Sequence, residues 1–190
     1  VQVFFAYYNV DASNIRNQSD VGGGGLLDIG CYCVSSSRWI CDREPERVIG
    51  LFDKDSSFGT DRLASGILDF GNGLQASFTC STQVAPYQRV NILGTHGRVE
   101  IDIPFNAPPD RPCLVSLYPG THSAQGQFEP TESQVLGMDI CDQYTLQGEA
   151  ISLAILNDEP VPYGLEDAVG NMRTLEALRQ SNEFSAWITL

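Results

Sequence analysis

The sequence has 190 residues, a length that suits one domain with a sizeable core. Hydrophobic residues make up 42% and charged residues 18%, which excludes a disordered chain. The formal net charge of −13 repels phosphate backbones and argues against nucleic acid as a partner. No apolar run reaches membrane-spanning length, and no signal-peptide pattern is present, so no membrane partner is expected.

Residues 1–8 are rich in aromatic and β-branched types and read as a buried strand already under way at Val1. The chain is therefore expected to be a piece of something longer. Residues 9–21 are polar and predict a loop. Arg16 is its only cation, either a clamp for substrate or phosphate or the partner of a local Asp.

The stretch from Asp20 to Cys41 organises the rest. Four glycines, Gly22, Gly23, Gly24 and Gly25, allow a sharp turn and a close approach to a neighbour. They lack the G-x-G-x-x-G spacing, and no Gly-Lys-Ser/Thr follows, so a phosphate cradle is not supported. A helix follows, with Leu27, Cys31, Val34 and Arg38 at three- and four-residue steps. Asp28 and Tyr32, one turn apart, project from one face, where a carboxylate and a phenol can bind a polyol or a carbonyl. Gly30 between them leaves room for something flat to lie against the helix. An Asp and a Tyr on one face also occur as plain half-buried surface, and both readings stay open on the residue pattern alone.

Beyond Glu44-Pro45, residues 47–52 and 62–70 predict two strands, the second closed by Gly71-Asn72-Gly73. From Leu74 to Val84 apolar residues alternate strictly with Gln75, Ser77, Thr79, Ser81 and Gln83. One face packs on the core, and the uncharged polar face is either a wall shared with a ligand or second subunit or a plain solvated face. Residues 89–93 and 98–103 form a hairpin, with His96 at its tip and no catalytic role expected there. Prolines stiffen residues 104–112, which makes Phe105 and Asn106 candidates for the border of a site. Residues 113–118 predict a strand and 119–137 a long mobile excursion. A helix over 142–157 is capped by Asp142, with Tyr144, Ile151 and Ile155 inward. A second helix from about Glu166 carries Val169, Met172, Leu175 and Leu178 at helical spacing, and residues 186–190 end the chain as a short strand.

No repeat or internal boundary interrupts this order, so residues 1–190 read as a single domain. Hairpin-linked strands with helices at both ends predict an α+β fold, an open and largely antiparallel (mixed) sheet with helices packed on one face. The six cysteines form no C-x-x-C pair and are not spaced with His96 or His122 as metal ligands, so no metal is expected and reduced, buried thiols are favoured. Ten of the 11 basic residues are Arg. The sole lysine, Lys54, lies in a stretch that reads as a solvated turn, so a mechanism that needs a buried lysine must take it from elsewhere.

Gly23 to Tyr32 (GGGLLDIGCY), the hairpin 94–101 (GTHGRVEI), and Pro160-Val161-Pro162 with Glu166-Asp167-Ala168 resemble the Gfo/Idh/MocA oxidoreductases. The resemblance covers nearly the whole chain, but only to that family's C-terminal substrate and oligomerisation domain. It implies an N-terminal Rossmann domain outside these residues, which binds NAD or NADP and supplies a catalytic lysine. It implies hydride transfer between the nicotinamide and a sugar, polyol or dihydrodiol, in the cytoplasm, by a homodimer or higher homo-oligomer formed through the sheet face. Asp28 matches the family's acidic residue that hydrogen-bonds the reacting substrate. Tyr32 stands where many sugar- and cyclitol-oxidising members have His, and so corresponds to the residue that relays the proton. A phenol titrates near ~10 unperturbed and needs a nearby cation to work at neutral pH. Arg16, Tyr144, Phe105 and Asn106 are expected to touch substrate, and Gly24 and Gly25 the cofactor. Alone, the domain is expected to be inactive, because the cofactor carries the hydride chemistry. The alternative is a non-catalytic ligand-binding or dimerisation module. A glycosidase-like activity finds no independent carboxylate pair to support it.

Overall fold

Strand β1 (Gln2–Tyr8) buries Val3 and Phe5, as its aromatic and β-branched sequence predicts. It opens a computed structural model that describes residues 1–190 and falls into two units, residues 1–88 with 168–190 and residues 89–167. Two short 3₁₀ turns, Ile15–Asn17 and Ser19–Val21, fill the polar stretch after β1. A π-helical turn, Leu26–Gly30, then runs into helix α1 (Cys31–Cys41). Strands β2 (Arg47–Lys54), β3 (Asp61–Asp69), β4 (Gln75–Ser81) and β5 (Gln83–Gly94) follow. The second unit adds β6 (Gly97–Ile101), β7 (Leu114–His122), β8 (Phe128–Pro130), β9 (Gln134–Gly137) and helix α2 (Gln143–Asn157). Helix α3 (Leu165–Phe184) leads back to the first unit, which ends in β10 (Ile188–Thr189).

In the first unit the strand order is β10-β2-β3-β4-β1, with the start of β5 beside β1. β1 and β4 run parallel, while β10/β2, β2/β3 and β3/β4 are antiparallel, so the sheet is mixed as expected. Register places Val48, Leu68 and Ala76 on one face, in line with Gly50, Gly66, Phe78 and Val3. Helices α1 and α3 cover that face with Cys33, Val34, Leu175 and Leu178, each side chain almost fully buried. Fully burying a leucine contributes roughly 1.5–3 kcal/mol. Helix α3 comes close because β3 offers no side chain at Gly66: a Cβ there would stand 2.6 Å from the Phe78 ring and 2.9 Å from Leu178.

The opposite face carries Ile49, Ile67 and Ser77 in one row and Leu51, Ser65 and Thr79 in the next. The polar, uncharged pattern read on β4 is correct for Gln75, Ser77 and Thr79, yet β2 and β3 add exposed Leu51, Leu63 and Ile67 beside it. The alternation does not run to Val84 as expected. Ser81 and Thr82 are both buried, Leu74 and Val84 are exposed, and the run is divided between β4 and β5.

In the second unit β5 and β6 form the expected hairpin, pairing Val90 with Ile101 and Ile92 with Val99. Residues 119–137 are not the expected mobile excursion. β7 continues to His122, and its free edge takes β9 along residues 114–117 and β8 along 120–122. Backbone pairing there overrides a composition rich in Gly, Ser and Thr. Asp142 caps α2 as expected, accepting from the Tyr144 N–H at 3.0 Å. The inward face does not hold, because Tyr144, Ile151 and Ile155 are all exposed and the buried side chain of α2 is Ala154. On α3, Leu175 and Leu178 are buried as expected, whereas Val169 and Met172 are exposed. All six cysteines are free thiols, but burial is uneven: Cys33, Cys41 and Cys80 are buried, Cys31 and Cys113 half-buried and Cys141 exposed.

Candidate active site

The glycine run shapes the site by what it lets approach. Gly24 has φ +129°, a conformation that side chains rarely adopt, and a Cβ there would overlap the Asp61 carboxylate. Asp61, at the start of β3, accepts from the Leu26 N–H at 2.6 Å and also from the Gly25 N–H. Burial pushes the Asp61 carboxyl above the usual carboxylate range, and these main-chain donors oppose the shift. On the other side, Gly23 and Gly24 donate to the carbonyls of Gln18 and Arg16, both at 2.9 Å. The run is thereby clamped between β3 and the turn that carries Arg16. The N–H groups of Gly24 and Gly25, two glycines expected to touch cofactor, are directed at protein acceptors.

Asp28 is the hub of the cluster. Arg16 Nε donates to its Oδ1 at 2.7 Å, and the Tyr7 hydroxyl donates to its Oδ2 at 2.5 Å. The Asp28 side chain is 17% exposed, while Arg16 is 46% exposed. Burial first, and then the hydrogen bond to Asp28, pushes the Tyr7 phenol well above its ordinary value, so Tyr7 stays protonated and donating. The hydrogen bond to Asp28 likewise raises the Arg16 guanidinium. Tyr32 packs its ring edge-to-face against Phe5, with centroids 5.7 Å apart, and is 47% exposed. It lies within electrostatic reach of Arg16.

Arg16 thus pairs with Asp28 and lies within electrostatic reach of Tyr32. The helix that carries the last two differs in detail, since it opens with the π turn and faces inward through Leu26, Ile29, Cys33 and Val34, leaving Leu27 exposed and Cys31 half-buried. Phe105, Asn106 and Tyr144 belong to the second unit, where Gln143 Nε2 donates to the Phe105 carbonyl at 2.9 Å. Sequence reasoning missed Tyr7 and Asp61. Tyr7 stood in a run read as buried strand, and its one signal was a hydroxyl at the end of β1 where phenylalanine would serve packing equally well. Asp61 gave no signal, because its partner lies 35 residues away in sequence.

The first unit is thus a mixed sheet backed by two helices, with a carboxylate held between a phenol and a guanidinium. The chain belongs to the Gfo/Idh/MocA family, whose C-terminal domain model matches residues 1–100. It is 37% identical over 190 residues to an uncharacterized oxidoreductase, ORF334, of Rhizobium meliloti, covering 100% of this chain and 55% of the relative. It is 28% identical over 179 residues to D-xylose 1-dehydrogenase (NADP(+)) 2 of Haloferax volcanii, covering 94% and 52%. Among solved structures it resembles the 3-ketoreductase KijD10 from Actinomadura kijaniata in complex with NADP and TDP-benzene. There the TM-score is 0.83 at 21% identity, over 95% of this chain and 52% of that one. The chain thus spans about half the length of the curated relatives it matches.

Proposed function

We propose that the protein is an NAD(P)-dependent oxidoreductase that transfers hydride between a nicotinamide and a carbon of a sugar, polyol or dihydrodiol, with residues 1–190 forming the substrate side of the site. The observation that carries this reading is the Tyr7–Asp28–Arg16 network beside an exposed Tyr32. With both oxygens already accepting, Asp28 is held still, and each oxygen keeps a lone pair with which to accept from a substrate hydroxyl. Tyr32, as its phenolate, takes the hydroxyl proton as hydride leaves the carbon for the nicotinamide, and the phenol so formed returns the proton to solvent. Arg16 lies within electrostatic reach of that phenol, and the family resemblance implies a further cation, a lysine from outside these residues.

When bound, the nicotinamide supplies the hydride acceptor. The residues fit that division of labour, because the exposed Tyr32 phenol can face a nicotinamide while the glycine N–H groups are committed to Gln18, Arg16 and Asp61. The dinucleotide phosphates are accordingly held by a domain outside these residues. The D-xylose dehydrogenase relative supports a sugar substrate and NADP. Exposed Leu51 and Ile67, in neighbouring rows of the open sheet face, support association of two copies through it. Tyr32→Phe in the full-length protein is expected to cut sugar-dependent NADP+ reduction by orders of magnitude. Unchanged turnover in that variant refutes the assignment.

A further inference from the structure

Between Asp28 and Tyr32 the helix changes pitch. Leu26–Gly30 is a π-helical turn and Cys31–Cys41 is regular α-helix, so the junction falls between the two residues assigned to catalysis. A π turn closes wider rings than an α-helix, and a residue four positions on no longer returns to the azimuth that α geometry gives. The relative aim of the carboxylate and the phenol is therefore set by how this junction is held.

Contacts from three directions hold it. The Cys31 thiol donates to the Asp28 carbonyl at 3.5 Å. Gly30 lies against the sheet, where a Cβ would stand 3.0 Å from both Cys80 Sγ and the Leu26 side chain. From α3, Asn171 Nδ2 donates to the Cys31 carbonyl at 3.2 Å, across 140 residues of sequence. The other half of that amide, Oδ1, is buried without a partner. Burying an orphan acceptor is unfavourable, so stability alone would place an apolar side chain at position 171. At the adjacent Gly170 a Cβ would stand 2.5 Å from Arg38 Nη2 and 2.7 Å from Glu44 Oε1, so α3 runs close beside the ion pair that Arg38 of α1 makes with Glu44.

We propose that Asn171 is a positioning residue for the reaction: its amide holds the Cys31 carbonyl at the π-to-α junction and so sets the angle between Asp28 and Tyr32. The inference rests on the roles assigned above to those two residues. The test uses the full-length enzyme and Asn171→Leu, which fills the same space without a donor. Because the orphaned acceptor disappears with the donor, the Tm should hold or rise, while kcat falls about tenfold through misaimed groups and the KM for NADP+ stays within about twofold. In a Tyr32→Phe background the same substitution should cost almost nothing further, since the geometry it disturbs no longer matters. Should the leucine variant fail to fold, Asn171→Ser, which keeps a donor, should retain more kcat than Asn171→Ala. If Asp28→Asn and Tyr32→Phe abolish turnover while Asn171→Leu keeps kcat within about twofold, this inference fails and the functional reading stands. If Asp28→Asn and Tyr32→Phe leave turnover intact, the functional reading fails and takes this inference with it.

Discussion

Tyr7→Phe removes one oxygen from the protein and leaves the ring in place. Its hydroxyl donates to Asp28 Oδ2 at 2.5 Å, while Arg16 holds Oδ1 at 2.7 Å. A hydrogen bond to a charged group contributes roughly 1.5–3 kcal/mol to stability. Here the contact is only part-buried and water can replace the donor, so a loss of about 1–2 kcal/mol is expected. The larger effect should fall on the reaction. With one anchor left, the carboxylate can swing about the Arg16 contact, and a disturbance of about 1–2 kcal/mol in its placement is a factor of about 5–30 in kcat/KM. Urea unfolding and steady-state NADP+ reduction with the sugar substrate, both on the full-length protein, measure the two losses separately. A variant that unfolds earlier but keeps kcat/KM within about twofold would show that Tyr7 only packs, and that Asp28 needs no second anchor.

Two further outcomes follow from surface chemistry. Leu51→Glu puts a charge on the sheet face that exposes Leu51, Leu63 and Ile67, at a position itself 75% exposed. Sedimentation should then report a smaller particle than wild type, whereas an unchanged one would dismiss the sheet face as the association surface. On α3, Arg179 and then Gln180 pull the Glu176 carboxyl down to about 2. A depressed carboxyl stabilises the fold above its unfolded value and loses that contribution as acid approaches the folded one. Glu176→Gln should therefore be slightly less stable than wild type at neutral pH. In urea titrations the difference should vanish as pH falls from 4.5 to about 2, and a difference that is flat with pH would contradict it.

Much of the first unit was legible because its strands obey simple periodicities. Val3 and Phe5, or Ala76, Phe78 and Cys80, alternate inward as any half-buried strand must. The Asp28–Tyr32 pair was legible through its spacing, and Arg16 because a lone cation in a polar loop invites a partner. The misses fall where tertiary contact, or its absence, decides what local pattern does not. β8 and β9 pair with an edge that composition does not announce. Helix α2 carries apolar residues on every side, so no stripe marks which one faces protein, and only Ala154 is buried. The π turn was hidden because an inserted helical residue leaves no signature in residue type.

The fold separates two tasks in space. The groups assigned to meet substrate, Arg16, Asp28 and Tyr32, together with Tyr7 behind them, come from the first 32 residues. The residues that reach this segment from far along the chain, Asp61 from β3 and Asn171 from α3, bind main-chain atoms at Leu26 and Cys31, at either end of the π turn. Neither competes for the carboxylate or the phenol. Such an arrangement lets the two side chains stay solvent-accessible while their backbone is fixed as firmly as core. It also explains the glycines. A turn gripped from both sides, by Asp61 on one and by the carbonyls of Gln18 and Arg16 on the other, has no space for a side chain at Gly23 or Gly24. Gly23 and Gly24 therefore serve the close approach that a glycine run allows.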